Sequence, residues 1–104
     1  MKFKKKGTLI SPQDIVLQGD GQRTILAISA QIHSLNHLQE MNLEIKTDSE
    51  NKYVHMSELF SETKEGFHYF ILPVRNFEDV ESLKFWKIVS TDMKVSETML
   101  FKVA

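Results

Sequence analysis

Two stretches of alternating residues decide the fold: Thr24-Ile25-Leu26-Ala27-Ile28-Ser29-Ala30-Gln31-Ile32-His33 and Met41-Asn42-Leu43-Glu44-Ile45-Lys46-Thr47. In the second, the apolar residues Met41, Leu43 and Ile45 alternate with the polar residues Asn42, Glu44 and Lys46. In the first, one parity carries the apolar residues Leu26, Ile28, Ala30 and Ile32, and the other changes from apolar at Ile25 to polar at His33. Successive side chains of a β-strand point to opposite faces, so a period of two predicts a sheet with one buried face and one solvent-exposed face.

The apolar parities of the best-patterned strands predict the core. One strand is expected over residues 23–33, a second over 41–47 and a third over 83–89. The side chains predicted to be buried are Leu26, Ile28, Ala30, Ile32, Leu43, Ile45, Phe85 and Val89.

Further strands are predicted by short apolar runs bounded by turn residues. They cover residues 3–10, 14–18, 53–56, 67–72 and 96–103. Residues 34–40 and 57–64 are each too short for a stable helix, so each is expected to be a loop or a single helical turn. Gly19 and Gly21 are read as turn residues between two strands.

About seven strands in a chain of this length favour one all-β domain over residues 1–104, built as a two-layer antiparallel sandwich. The expected type is immunoglobulin-like or fibronectin III-like. The paired cysteines of true immunoglobulin domains are absent, because the chain has no cysteine. A five-stranded OB-like small barrel is the alternative.

Composition limits the class of protein. The 104 residues are 41% hydrophobic and 26% charged, which is typical of a globular domain. The longest apolar run is far shorter than a membrane-spanning helix, so no membrane insertion is expected. The expected compartment is the cytoplasm, or the extracellular space if the chain is an excised or processed fragment.

Charge argues against nucleic acid as a partner. The chain has 13 basic and 14 acidic residues, and the basic excess near the start is Lys2, Lys4, Lys5 and Lys6. A nucleic-acid module needs a basic face of its own. The lysines are interpreted instead as protection of a sheet edge against aggregation.

No motif names a reaction, a metal or a cofactor. His33 and His37 are four residues apart, but at the end of a predicted strand, so both are expected to be surface histidines without metal. Two carboxylate groups, Glu58, Glu62 and Glu65 and then Glu78, Asp79 and Glu81, lie in polar connections and are expected to be solvated. The chain is therefore expected not to be an enzyme and to need no cofactor.

Two strands carry large apolar side chains on both parities. Residues 67–72 place Phe67 and Tyr69 on one parity, and the last part of 83–89 places Trp86 and Ile88 on the parity that the core does not use. Exposed aromatic clusters mark interaction surfaces. The predicted interaction surface is therefore Trp86, Ile88, Tyr69 and Phe67; the alternative is that a connecting segment covers this second face.

The sequence thus favours a non-catalytic module that binds a protein partner or forms a homo-oligomer, as an accessory or structural component of a larger complex. The alternative is a sandwich that binds carbohydrate or a small ligand, with Tyr53, Tyr69 and Trp86 as stacking platforms. An enzyme ranks third, and a nucleic-acid module on an OB-like barrel ranks fourth.

Overall fold

The fold consists of two antiparallel sheets with very little helix. The structure, a computed structural model, describes residue 10, residues 14–88 and residues 95–102, with the backbone alone at 88 and 95–102. The strands are β1 Ile15–Asp20, β2 Arg23–Ser29, β3 Asn42–Thr47, β4 Asn51–His55, β5 Ser61–Lys64, β6 Phe67–Leu72, β7 Val80–Ile88 and β8 Val95–Lys102. The single α-helix of the described ranges, α1, covers Leu35–Gln39, and two 3-10 turns cover Met56–Glu58 and Phe77–Asp79.

Hairpins are the building units of both sheets. Sheet A has the order β1-β2-β6-β5, so the hairpins β1–β2 and β5–β6 meet where β2 pairs with β6. Sheet B has the order β4-β3-β7-β8, and its two hairpins meet where β3 pairs with β7. Every pairing is antiparallel, and neither sheet closes on itself within the described strands. The all-β prediction is confirmed, and the described strands do not form the closed barrel that was considered as the alternative.

The core lies between the sheets and follows the predicted alternation. Along β3 and β6, buried residues alternate with partly exposed ones. Five of the predicted core residues are buried, namely Leu26, Ile28, Leu43, Ile45 and Phe85. Leu38 of α1 and Met56 belong to the same buried core. The period-two pattern therefore identified the inward face of the central strands correctly.

The predicted continuation of β2 to residue 33 is wrong. The strand ends at Ser29 and the chain turns over residues 30–32. Ala30 is only half-buried and Ile32 is 50% exposed, although both were predicted to be in the core. The reason is that β6, the partner of β2, begins at Phe67, and the last backbone bond, Ala30 N to Gly66 O, comes from the turn before it.

A strand in sheet A was missed by the sequence analysis. Residues 61–64 were predicted to be a loop or one helical turn, yet they form β5 and pair with β6. Glu65 and Gly66 connect the two strands with positive φ at both residues, 53° and 88°. That combination is the two-residue turn whose twist suits a hairpin.

Gly19 is needed for packing, not for a turn. It lies within β1, and a Cβ added there would come within 2.6 Å of the Phe77 ring. Gly21, with a φ of 67°, is the glycine that turns the chain into β2. The Phe77 ring thereby holds the connection between β6 and β7 against the β1–β2 hairpin.

Several predictions fall outside the described residues. They are the strand over 3–10 except Ile10, the lysines at 2, 4, 5 and 6, and the burial of Val89. No helix within the described ranges is long and apolar enough to cross a membrane.

Ile28 and Ile32 form a matched pair for testing the inward face. Ile28 is fully buried, and Ile28→Ala should lower the free energy of unfolding by about 2–5 kcal/mol, from lost transfer energy and the cavity left behind. Ile32→Ala, at a half-exposed position, should change it by about 0.5 kcal/mol or less. Denaturant titration measures both. Equal losses would mean that Ile32 belongs to the core.

Candidate interaction surface

The outer face of sheet A is apolar where it points away from the core. We call this surface the β6 face and define it by Val16, Ile25, Phe60, Phe67, Tyr69 and Ile71. Phe67, Tyr69 and Ile71 are the outward parity of β6, because His68, Phe70 and Leu72 are the buried one. Val16 is 49% exposed and Phe60 is 66% exposed.

The register of sheet A makes the β6 face continuous. Tyr69 lies opposite Ala27 of β2, and Ala27 lies opposite Val16 of β1. Ala27 is 3% exposed although it faces outward, so its larger neighbours cover it. One row further along, Ile71 lies opposite Ile25 and donates its backbone N–H to the Phe60 carbonyl. The apolar side chains therefore form one patch across three strands and the start of a fourth.

The aromatic side chains of the β6 face are in contact with each other. The ring centroids of Phe67 and Tyr69 are 6.1 Å apart with planes tilted by 46°. Lys64 Nζ lies 5.9 Å from the Tyr69 centroid, within the range of a cation–π contact. A tilted pair is a compact apolar contact, not a strip of coplanar rings.

A shallow depression crosses the β6 face at Ile25, Phe60, Tyr69 and Ile71. Its border is charged: Arg23 contacts Asp20, and Lys64 Nζ lies 4.0 Å from Glu62 Oε2. All four of these side chains are more than half exposed, so each ion pair alone adds little to stability. The surface has the layout of a protein-binding site, with an apolar centre and a polar rim.

A third predicted surface residue, Trp86, lies on the outer face of sheet B. Trp86 is half-buried and pairs with Asn42 of β3, which in turn pairs with His55 of β4. Ile88 belongs to β7 by its backbone. The structure therefore brings Phe67 and Tyr69 together but places Trp86 on the opposite side of the sandwich.

Tyr53, the predicted stacking residue, also lies on sheet B. It is 64% exposed, and its hydroxyl donates to Glu44 Oε2 at 3.1 Å. Asn51 Nδ2 donates to the same oxygen at 3.1 Å. Tyr53 and Trp86 are separated by the width of β3, so a single sugar ring does not span both.

The sequence analysis missed a buried polar network. His33 was expected at the surface, but its side chain is fully buried, and its Nε2–H donates to Asp14 Oδ2 at 3.0 Å. His68, also buried, donates from Nε2 to the His33 carbonyl at 2.9 Å. The other imidazole nitrogen of His68, Nδ1, lies 2.7 Å from the Thr63 hydroxyl, within hydrogen-bond distance.

This network is structural in character. It joins the turn after β2 to β6 and to Asp14 just before β1. The His33 imidazole has no exposed surface through which a substrate can reach it. His37 lies elsewhere, on α1, where its backbone N–H donates to the Ser34 hydroxyl that caps the helix.

The remaining candidate groups lie apart. The side chains of Glu58, Glu62, Glu65, Glu78, Asp79 and Glu81 are all exposed, as predicted. His55 and Ser57 are in contact at 2.7 Å, but the same imidazole nitrogen accepts from the Ser57 backbone and caps the turn over Met56–Glu58. Across the described ranges, no group of three or more acidic or histidine side chains has the arrangement of a metal site.

Comparison with known proteins adds no relative: no family model, no curated protein and no solved structure matches the chain.

The buried position of His33 changes the expected effect of its removal. His33→Ala takes away a buried hydrogen bond to a carboxylate and leaves a cavity, so it should lower the free energy of unfolding by about 2 kcal/mol or more. His37→Ala, at a half-buried position on α1, should cost less than half as much. Thermal and denaturant melts compare the two. An unchanged melt for His33→Ala would mean that the network does not support the fold.

Proposed function

We propose that this chain is a non-catalytic protein-binding or assembly module, an accessory component of a larger complex, and that it binds through the β6 face. One observation carries the proposal. Sheets of a two-layer sandwich need one apolar face for the core, yet sheet A has large apolar side chains on both faces. Burying the outer set against a partner removes that apolar surface from water.

The immunoglobulin-like type is proposed on strand order. With the strands lettered A, B, C, C′, D, E, F and G along the chain, sheet A has the order A-B-E-D and sheet B the order C′-C-F-G. Immunoglobulin-like sandwiches use these neighbours, with or without the C′ strand. Domains of this type commonly work by presenting a surface to another protein, which agrees with the proposed role.

The residues assigned to binding are Phe67 and Tyr69, at the centre of the β6 face. Aromatic side chains that fill a partner's pocket are frequent binding hot spots, each contributing about 2 kcal/mol or more. Trp86 and Ile88 remain proposed as a second contact surface, with Trp86 on the outer face of sheet B. The variants Tyr69→Ser and Trp86→Ser test these two surfaces separately.

Site-specific photocrosslinking tests the proposal. A photoreactive side chain is placed at Val16, 49% exposed on the β6 face, or at Tyr53, 64% exposed on the outer face of sheet B. In cells that make the protein, illumination should give a discrete adduct from position 16 and none of comparable yield from position 53. Tyr69→Ser in the position-16 protein should reduce that adduct.

Two outcomes contradict the assignment. No adduct from position 16 would mean that the β6 face has no bound partner. Equal yields from both positions would mean that contact reflects exposure alone.

Carbohydrate binding is the second candidate, favoured by the surroundings of Tyr53. The exposed ring of Tyr53 offers a stacking face for a sugar ring. Glu44 and Asn51 beside it are polar groups that can form hydrogen bonds with sugar hydroxyls. On an oligosaccharide array, the parent chain should then retain a ligand that Tyr53→Ala does not. An array without any retained ligand would count against this function.

A further inference from the structure

We infer that the β6 face binds a second copy of this chain, so that the module is a two-fold symmetric dimer. The inference rests on the proposed function and names the partner for the same surface.

The charges at the border of the β6 face are balanced. The depression is bordered by Asp20, Arg23, Glu62 and Lys64, two acidic and two basic side chains. A patch with this border does not favour a strongly acidic or strongly basic partner, because the partner's charges would face like charges as often as opposite ones. A second copy brings the same balanced set, and a two-fold axis can pair Glu62 of one copy with Lys64 of the other.

The register of β5 with β6 shows how such pairing is achieved. Glu62 lies opposite Tyr69, and Lys64 lies opposite Phe67, with all four side chains on the outer face. A two-fold axis that crosses the strands between these two rows places Glu62 of each copy over Lys64 of the other. The same operation stacks the Phe67–Tyr69 pair of one copy on that of the other.

The size of the patch predicts how strong the dimer is. Four strands at spacings of about 4.8 Å and six residues at about 3.4 Å give a face of roughly 20 Å by 20 Å. Its flat area is roughly 400 Å², which is half of the roughly 800 Å² that a standard interface buries on each partner, so the interface is a small one. The dimer should therefore be reversible and depend on protein concentration.

Sedimentation velocity of the full chain over a concentration series tests the inference. The parent should shift from monomer to dimer as its concentration rises. Tyr69→Ser should weaken self-association by about tenfold or more, as expected for a central aromatic anchor. Thermal melts of each variant establish that the monomer remains folded.

Charge-reversal variants test whether the partner on the β6 face is a second copy of the chain. E62K places two positive charges opposite each other across the axis and should weaken the dimer severalfold. The double variant E62K/K64E restores opposite charges in both pairs and should return the dissociation constant to near the parent value. E50K is the matched control, because Glu50 forms a similar ion pair with Lys52, at 3.5 Å, on the other sheet; it should leave the dissociation constant unchanged.

Three results would overturn the inference: a monomer at every concentration, a double variant no better than E62K, or a dimer weakened by Trp86→Ser but not by Tyr69→Ser. Failure here is distinguishable from failure of the proposed function. A monomeric parent whose position-16 adduct contains a different protein refutes the second copy and retains the protein-binding role. Absence of any position-16 adduct refutes both.

Discussion

The pairing of β2 with β6 is the constraint on which the rest of the molecule depends. It joins two hairpins into sheet A, and its register decides which side chains face the core. A slip of one residue would exchange the two faces of a strand. On β6 that exchange would bring Phe67 and Tyr69 inside and expel Phe70 and Leu72, so the core and the β6 face are fixed by the same set of backbone hydrogen bonds.

The sequence predicted the fold where one parity was apolar and the other was polar. Leu43 and Ile45 of β3 are unambiguous for this reason, and both are fully buried. β5 has no apolar residue, so periodicity carries no signal for it. The end of β2 depends on where β6 begins, which is a pairing across about 40 residues that local pattern does not contain. Ile32 was consequently assigned to the core although it is half exposed, and His33 to the surface although it is buried.

The candidate site could be predicted in part. Two apolar parities on β6 are visible in the sequence, and they correctly identified Phe67 and Tyr69 as outward-facing. That Trp86 lies on the other side of the sandwich is a property of topology, because β6 and β7 belong to different sheets. Phe60 and Val16 join the β6 face only through strand pairing, because Val16 reaches Tyr69 through Ala27 and Phe60 bonds to Ile71.

The construction of each sheet from two hairpins has a kinetic consequence. Local hairpins form in about 1–10 μs, whereas pairing of β2 with β6 must first close a long loop of chain. Non-local pairings of this kind place a protein among the slower folders, on the millisecond to second scale. Before the hairpins join, the edges of β2 and β6 that will pair with each other have no partner. A newly made chain is most prone to aggregation during that interval.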